Sequence, residues 1–260
     1  MAALRYMKYA GGLSGPPAIL IGILCLSLLA VSCTTVQDTP VTRPTPIVKK
    51  EPDKVPSPPK RANFESENKS RDAQKVADWV VDSGDNGLLP FVIIDKIDAK
   101  VFVFNADGRL RGAAPALLGL TKGDESIPGI GTRPLSRIRP DERTTPAGRF
   151  VASIGRNAKG TDVLWVDYNG ALSLHRVIPV KARLERLATP TPLDNRMSYG
   201  CINVPKAFYE NTVVPAFTGT KGIVYILPEV RSHKEIFLSY YDVESPIRQS
   251  YRPVSTSKEQ

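Results

Sequence analysis

Cys201 is the first candidate for chemistry, because it is the only cysteine beyond the apolar N-terminal segment. The chain has 260 residues and three cysteines, and Cys25 and Cys33 lie in or at the end of that segment. Cys201 stands in RMSYGCINVP, next to a glycine and close to hydroxyl and amide side chains. A lone thiol is either a reactive sulfur or a small buried apolar side chain. The polar neighbours favour a reactive sulfur that acts as a nucleophile.

A cysteine nucleophile needs a base, and the sequence has two histidines. His233 lies in the polar stretch RSHKE, which favours a position on the surface. His175 lies at the end of the predicted strand ALSLHRV, where alternation places Ser173 and His175 on one face and the leucines on the other. His175 is therefore the predicted base for Cys201.

Other classes of function fit the sequence less well. The histidines do not form the His-Glu-x-x-His cluster of a zinc peptidase, so we predict no metal and no other cofactor. A serine triad can be drawn from Ser173 or Ser198 with His175 and Asp167, but there is no G-x-S-x-G elbow, and a thiol is the better nucleophile. The formal net charge is +9. Because no nucleic-acid motif accompanies it, this charge favours wall polymers or lipid headgroups as partners, and not nucleic acid.

The elements that must position these residues are mostly strands. FVIID and KVFVF, residues 91–95 and 100–104, are β-branched and aromatic runs joined by a short polar turn, which is typical of a hairpin. GRFVASIG, DVLWVDY, ALSLHRV and GIVYILP supply further short strands between glycine, proline and aspartate residues. The pattern predicts one mainly β domain over residues 88–228, a sandwich or barrel with a few short helices.

Three other segments surround this domain. Residues 70–87 are predicted to form a helix that packs on it, begins at Ser70 and ends near Gly84. Residues 34–69 are rich in proline and lysine and are predicted to be a disordered linker. Residues 229–260 are predicted to be a polar C-terminal tail.

Residues 1–33 have the pattern of a secretory signal peptide. Arg5 and Lys8 precede an apolar run from Ala18 to Val31, which is shorter than the roughly 20 residues of a membrane-spanning helix. A transmembrane anchor is therefore the less favoured alternative. LAVSC, residues 29–33, resembles the lipobox of bacterial lipoproteins, in which Cys33 would be lipidated; ordinary cleavage after small residues is the competing interpretation. Either way we expect export to the periplasm or cell envelope, and the lipobox adds an anchor in a membrane.

The sequence around Cys201 resembles the signature of the L,D-transpeptidase family, cysteine enzymes of the bacterial wall. That signature is a histidine on a strand, a variable gap, then Ser/Thr-His-Gly-Cys, an apolar residue and Arg or Asn. The matching residues are Ser198, Gly200, Cys201, Ile202 and Asn203, with His175 upstream. TTPAGRF, residues 144–150, and the hairpin FVIIDKIDAKVFVFNADG resemble two further family segments. The resemblance covers residues 91–228.

The resemblance implies an L,D-transpeptidase-like fold and roles for particular residues. Cys201 would form a thioester with a peptidoglycan stem tetrapeptide, and His175 would serve as the general base and proton donor. The residues expected to support the loop and the oxyanion are Ser198, Tyr199, Gly200 and Asn203. Arg196, and after it Arg176, are the expected anchors for substrate carboxylates.

Three features depart from the family pattern. Arg176 follows His175 where glycine is common in the family. Tyr199 stands where the family usually has histidine, and a phenol does not shuttle protons near neutral pH as imidazole does. The 22 residues between His175 and Ser198 exceed the usual gap, so this segment is predicted to form a flap over the site.

Three functions remain open on these residues. The favoured one is a transpeptidase that passes the acyl group to an amine, which forms a 3→3 cross-link or attaches a protein. The second is a hydrolase of the same fold, a carboxypeptidase or endopeptidase with water as acceptor. The third is a wall-binding lipoprotein without catalytic activity.

Overall fold

A computed structural model describes residues 58–245. The predicted signal peptide, the lipidation candidate Cys33, the first part of the linker and the end of the tail lie outside the described residues. Within residues 58–245, none of the helices combines the length and the apolar composition that a membrane crossing needs.

The described chain alternates short strands with a few short helices. The strands are β1 (Phe91–Asp95), β2 (Lys100–Phe104), β3 (Leu110–Pro115), β4 (Leu118–Gly119), β5 (Gly148–Arg156), β6 (Asp162–Asp167), β7 (Leu172–Arg176), β8 (Arg196–Ser198), β9 (Ile202–Val204) and β10 (Gly222–Ile226). The helices are α1 (Arg71–Ser83), α2 (Lys181–Ala188), α3 (Lys206–Phe208), α4 (Val214–Phe217) and α5 (His233–Ile236). A π-helical turn, Tyr209–Val213, joins α3 to α4, and three short 3-10 turns lie between residues 130 and 142.

Eight of these strands form one mixed sheet in the order β3-β2-β1-β10-β5-β6-β7-β9. The pairs β1–β10 and β7–β9 are parallel, and the other neighbours are antiparallel. Leu117, two residues after β3, exchanges backbone hydrogen bonds of 2.8 and 2.9 Å with Asn203 in β9. The chain that follows one edge strand therefore pairs with the other edge strand, and the sheet is nearly closed into a barrel. The predicted mainly β fold is confirmed.

Period-two alternation divides the sheet between two apolar cores. In β1, Val92 and Ile94 face a core inside the curved sheet, which the helical segment 209–217 also joins. Phe91 and Ile93 face the second core, which lies on the outer side of the sheet under α1. Both faces of β1 are buried, which explains why its sequence is an uninterrupted apolar run.

Helix α1 covers the second core. The Ser70 hydroxyl accepts a hydrogen bond from the backbone N–H of Ala73, and Gly84 ends the helix in the left-handed conformation. Trp79 is fully buried and contacts the ring of Tyr225, at 5.8 Å between centroids. Helix α1 therefore buries the outer face of the sheet.

The predicted linker, residues 34–69, extends too far toward the C-terminus. Ala62 and Phe64 are buried in the second core, and the Phe64 ring contacts Phe102 and Phe104 edge to face. Asn63 forms a backbone bridge with Arg109. The prediction of disorder followed the proline-rich average composition of the segment, which does not reflect that Phe64 packs in the core.

The start of the predicted polar tail, residues 229–260, is also folded. Phe237, Tyr240 and Tyr241 are buried in the second core, where Phe237 stacks on Trp79 with 5.8 Å between centroids. The domain therefore reaches at least to Val243, which is buried with them. The charged residues between these aromatic side chains give the segment a polar average composition, which is why a polar tail was predicted.

Candidate active site

The pairing of β7 with β9 brings His175 and Cys201 together. The two strands run in parallel with Leu174 opposite Ile202. Both of these residues are fully buried in the inner core, so Ser173 and His175 point to the other face of β7, as the alternation predicted. Cys201 lies one residue before Ile202 and faces the same side.

The Cys201 thiol has three polar neighbours. It lies beside the His175 side chain, close enough for each group to shift the pKa of the other. Its Sγ lies 3.6 Å from the Ser173 Oγ and 3.5 Å from the carbonyl oxygen of Ala171. The residue is half-buried and forms no disulfide. The structure therefore places this sulfur in a polar and accessible site, and not inside an apolar core.

A backbone hydrogen bond fixes the tautomer of His175. Its Nδ1 lies 2.7 Å from the carbonyl oxygen of Arg176. Because a carbonyl oxygen only accepts hydrogen bonds, Nδ1 carries the proton, and Nε2 is the nitrogen left to accept the thiol proton. This arrangement is what a base for Cys201 requires.

The surroundings shift both pKa values toward the ion pair. Burial alone would raise the pKa of the Cys201 thiol, but the hydrogen bond and charge of His175, together with hydrogen bonds from Ser173, lower it below its ordinary value. Burial alone would lower the pKa of His175, but the hydrogen bond and charge of Cys201 raise it above its ordinary value. Both shifts therefore favour a thiolate facing an imidazolium over the neutral pair, relative to the same groups in water.

Hydrogen bonds hold residues 198–201, the cysteine turn, in place. The Ser198 Oγ accepts from the backbone N–H of Gly200 at 3.0 Å and donates to the carbonyl oxygen of Cys201 at 2.7 Å. The Asn203 Nδ2 donates to the same carbonyl at 3.0 Å, while Arg183 donates to the Asn203 Oδ1 at 2.7 Å. Asn203 is 1% exposed and braces the turn, so it is not a solvent-facing amide.

Gly200 is required by both conformation and space. Its φ is +127°, and a Cβ at this position would lie 2.8 Å from the Thr144 carbonyl oxygen. Its N–H donates to Ser198, so this N–H is not free to bind an oxyanion. The predicted oxyanion role of Gly200 is thus replaced by a structural role in the turn.

Thr145 is a site residue that the sequence analysis did not single out. Its buried Oγ1 accepts from the Gly119 N–H at 2.8 Å and donates to the Gly200 carbonyl oxygen at 2.7 Å. The signal was present in TTPAGRF, whose second threonine is this residue. That segment links β4 and the cysteine turn.

Cys201 opens onto a cavity of about 180 Å³. One wall is formed by Tyr199, Gly200 and Cys201, and another by Asp167 and residues 170–172. The roof comes from residues 125–142, which include Arg133. Residues 177–197, the predicted flap, do not line this cavity. Helix α2 lies beside β9 instead, where Arg183 contacts Asn203.

Tyr199 connects the turn that carries Cys201 to the roof. The Arg143 guanidinium lies 4.0 Å above the centre of its ring. The same guanidinium donates to the Ile138 carbonyl oxygen at 3.1 and 3.3 Å. The ring therefore serves as a packing surface on the side of the turn that faces the cavity.

The two predicted arginine anchors do not line the cavity. Arg196 donates to both carboxylate oxygens of Glu229, at 3.1 and 2.5 Å. Arg176 is paired with Asp162 and Glu210. Proximity in sequence to Cys201 and His175 was misleading, because carboxylates distant in the chain already occupy both guanidinium groups.

The second histidine lies apart from this site. His233 begins α5, where its ring lies 5.2 Å from that of Tyr240, and burial lowers its pKa. In the described range, no cluster of three or more His, Cys, Asp or Glu side chains is arranged to hold a metal ion.

Comparisons with known proteins found similarity in structures alone. Neither a protein-family model nor a curated protein matches the sequence. A variant of the helical cell shape determining protein Pgp2 from Campylobacter jejuni matches with 18% identity and a TM-score of 0.35, over 63% of this chain and 58% of that one. A mutant L,D-transpeptidase from Enterococcus faecium matches with 16% identity and a TM-score of 0.33, over 53% of this chain and 49% of that one.

An L,D-transpeptidase from Mycobacterium smegmatis matches with 12% identity and a TM-score of 0.31, over 53% of this chain and 58% of that one. The match therefore spans only about half to three fifths of the length of each solved chain.

Proposed function

We propose that this protein is an exported cysteine acyltransferase of the L,D-transpeptidase type that acts on peptidoglycan stem peptides. The observation that carries the proposal is the thiol of Cys201 on the wall of an open cavity, with the His175 side chain close enough for each group to shift the pKa of the other. The fixed Nδ1–H of His175 and the lowered pKa of Cys201 are what a thiolate nucleophile requires. The substrate class comes from the resemblance of SYGCIN and TTPAGRF to the family's segments.

The first half-reaction forms a thioester. His175 Nε2 takes the proton of Cys201, and the thiolate attacks the carbonyl that joins diaminopimelate to D-alanine. We assign the oxyanion to the backbone N–H of Cys201, because the N–H of Gly200 is already bonded to Ser198. The C–N bond breaks as His175 returns its proton to the departing amine of D-alanine.

The second half-reaction releases the acyl group. An acceptor amine attacks the thioester while His175 removes its proton, the C–S bond breaks, and the sulfur recovers a proton from His175. With an amine of a second stem peptide, the product is a 3→3 cross-link. A protein lysine or water would enter the same step in the same way, since the pair Cys201–His175 handles one proton in each case.

A covalent adduct tests the nucleophile directly. We expect the purified protein to gain the mass of a carbapenem, an inhibitor class with which the family reacts, and we expect the adduct on the peptide that contains Cys201. Cys201→Ala should gain no mass, while Ser173→Ala, which keeps the nucleophile, should still react. Intact wild-type mass after prolonged incubation would overturn the catalytic proposal and favour the wall-binding alternative.

Purified muropeptides separate the two catalytic outcomes. A transpeptidase should generate 3→3 dimers and release D-alanine in equal amounts. A hydrolase should yield shortened stems without dimers. In either case the products must disappear with Cys201→Ala, since both reactions proceed through the same thioester.

We also propose, from the sequence of the leader, that the protein is lipid-anchored through Cys33 in the cell envelope. The proline-rich segment after it would then act as a tether between the membrane and the domain. Mass analysis of the mature N-terminal peptide tests this proposal: an acylated Cys33 supports it, and an unmodified N-terminus after residue 32 or 33 contradicts it.

A further inference from the structure

The roof of the cavity contains an arginine with an unused hydrogen-bonding edge. Arg133 follows the 3-10 turn Ile130–Thr132 and lines the cavity together with Cys201. Its Nη1 donates to both carboxylate oxygens of the buried Glu142, at 3.0 and 3.1 Å. Among the described residues, its Nε and Nη2 have no hydrogen-bond partner, although both atoms are buried.

The unused edge has the shape that a carboxylate fits. Nε–H and Nη2–H are parallel donors on one side of the planar guanidinium, and they can bind both oxygens of a carboxylate at once. Glu142 holds the opposite end of the group, so the free edge is already oriented before a ligand arrives. Buried donors without partners are rare in folded proteins, and each calls for a specific explanation.

The other charged side chains that line the cavity are carboxylates, so Arg133 offers the cationic site for an anion. Glu125 is paired with Arg231, and Asp167 accepts the backbone N–H of Asn169 at 3.0 Å. Arg133 is the one Lys or Arg that lines the cavity in the described part of the chain. A carboxylate that enters the cavity therefore finds a cationic donor at this residue.

The roof is fixed in place near Arg133. A Cβ on Gly131 would lie 2.1 Å from the Asn169 carbonyl oxygen, so the roof packs directly against the turn between β6 and β7. The same turn contains Ala171, whose carbonyl oxygen lies 3.5 Å from the Cys201 sulfur. The position of Arg133 is thus coupled through backbone contacts to the position of the nucleophile.

We infer that Arg133 positions the substrate by binding a carboxylate of the donor peptide through its Nε and Nη2. This inference rests on the proposed function and replaces the anchors expected from the sequence, Arg196 and Arg176. A stem tetrapeptide offers two suitable carboxylates near the scissile bond, the terminal one of D-alanine and the side-chain one of diaminopimelate. The residue would determine specificity for acidic donors without taking part in the chemical step.

The test compares Arg133→Lys with wild-type protein on three tetrapeptides. One has free carboxylates, one is amidated at its C-terminus, and one is amidated on the diaminopimelate side chain. Lysine keeps the charge and can still pair with Glu142, but it lacks the two parallel donors. Arg137→Lys is the matched control, because Arg137 lies on the same roof, is exposed and does not line the cavity.

For Arg133→Lys we expect KM for the free peptide to rise about tenfold or more, with kcat within about twofold of wild type. Arg137→Lys should behave as wild type. Wild-type protein should show the same rise in KM on one of the two amides, which identifies the carboxylate that Arg133 binds. Arg133→Lys should then lose no further affinity for that amide. The wild-type comparison needs no mutation and stands even if a variant folds poorly.

The outcomes separate this inference from the proposed function. If wild-type protein forms a thioester but takes both amides as well as the acid, or if Arg133→Lys matches wild type on the free peptide, the role of Arg133 is wrong and the acyltransferase stands. If wild-type protein forms no thioester with the free peptide, the proposed function fails and this inference fails with it.

Discussion

Thr145 and Gly200 lie 55 residues apart in the chain, and the Thr145 hydroxyl donates a hydrogen bond of 2.7 Å to the Gly200 carbonyl oxygen. The same oxygen of Thr145 accepts from the Gly119 N–H, so three segments meet at one fully buried hydroxyl group. Cys201 follows Gly200 directly. The position of its sulfur therefore depends on a residue that does not line the cavity at Cys201.

We predict that Thr145→Val, a change of nearly equal volume, lowers the free energy of unfolding by about 1–3 kcal/mol, because it leaves a buried N–H and a buried carbonyl unpaired. Thr145→Ser keeps the hydroxyl and should lose less. Urea unfolding measures the first effect, and the rate of Cys201 alkylation by iodoacetamide measures the displacement of the turn. Equal stabilities for the two variants would show that the hydroxyl has no such role.

The pH dependence of Cys201 reactivity tests the ion pair. Because the pKa of Cys201 is lowered, alkylation of the wild-type thiol should persist at pH values below the ordinary thiol pKa of about 8.5. His175→Gln removes the imidazolium and leaves the effect of burial, so the midpoint of the alkylation profile should move to higher pH. Ser173→Ala should move it less. An unchanged midpoint in His175→Gln would show that the imidazole does not stabilise the thiolate.

Much of the fold and the central pair could be predicted from local pattern. Alternation in ALSLHRV placed Ser173 and His175 on one face, and the hairpin that begins with FVIID forms β1 and β2. Such predictions succeed because period-two alternation is a property of the strand itself. Because the sequence offered one candidate thiol, Cys201, and one strand histidine, His175, it predicted a single pair for the site without any knowledge of contacts.

The arginines could not be assigned in this way, because their partners are distant in sequence. Arg196 is engaged by Glu229, and Arg133 reaches the cavity from a loop whose path the sequence pattern does not determine. The ends of the domain were misjudged for a related reason. Phe64 and Phe237 each occupy a place in the core that the average composition of their segments conceals.

Gly200 gives a prediction about the shape of the cysteine turn. Gly200→Ala forces a Cβ against the Thr144 carbonyl oxygen at a positive φ, so we expect a loss of about 1–3 kcal/mol in unfolding free energy and at least a tenfold slower alkylation of Cys201. Gly160→Ala is the control, since Gly160 also has a positive φ but no atom within 4 Å of the added Cβ. It should lose about 1 kcal/mol and leave Cys201 reactivity unchanged. Similar reactivity in both variants would contradict the proposed close approach.

Tyr199 is predicted to act through its ring and not through its hydroxyl. Tyr199→Phe keeps the surface on which Arg143 lies and should retain thioester formation within about twofold. Tyr199→Ala removes the contact between the ring and Arg143, which is worth roughly 1 kcal/mol. Because this contact holds the turn of Cys201 against the roof, we expect its loss to lower kcat/KM by about fivefold. The measurement is the rate of thioester formation by mass spectrometry. A large loss in Tyr199→Phe would instead assign the phenol a part in the reaction.

Asp124, which precedes the roof of the cavity, gives a prediction about acid stability. Its side chain is fully buried, accepts from Lys96 at 2.7 Å, and accepts from the backbone N–H groups of Glu229, Val230 and Arg231. Burial alone would raise its pKa, but these hydrogen bonds lower it to about 2. A carboxylate whose pKa is lower in the folded state stabilises the fold above the unfolded pKa, and this contribution disappears as the pH falls toward 2.

The lowered pKa of Asp124 corresponds to about 2 kcal/mol of unfolding free energy at neutral pH, of which about half should be lost by pH 3. Asp124→Asn leaves Lys96 with Glu229, 3.5 Å away, as its carboxylate partner, so we expect a loss of about 1–3 kcal/mol at pH 7 and a flatter dependence on pH below 5. Asp141→Asn is the control, since Asp141 pairs with Arg139 on the surface and should leave stability nearly unchanged. Urea unfolding at pH 7, 5 and 3 measures all three proteins. Parallel pH profiles for wild type and Asp124→Asn would show that acid sensitivity arises elsewhere, because a group that no longer titrates cannot contribute to the slope.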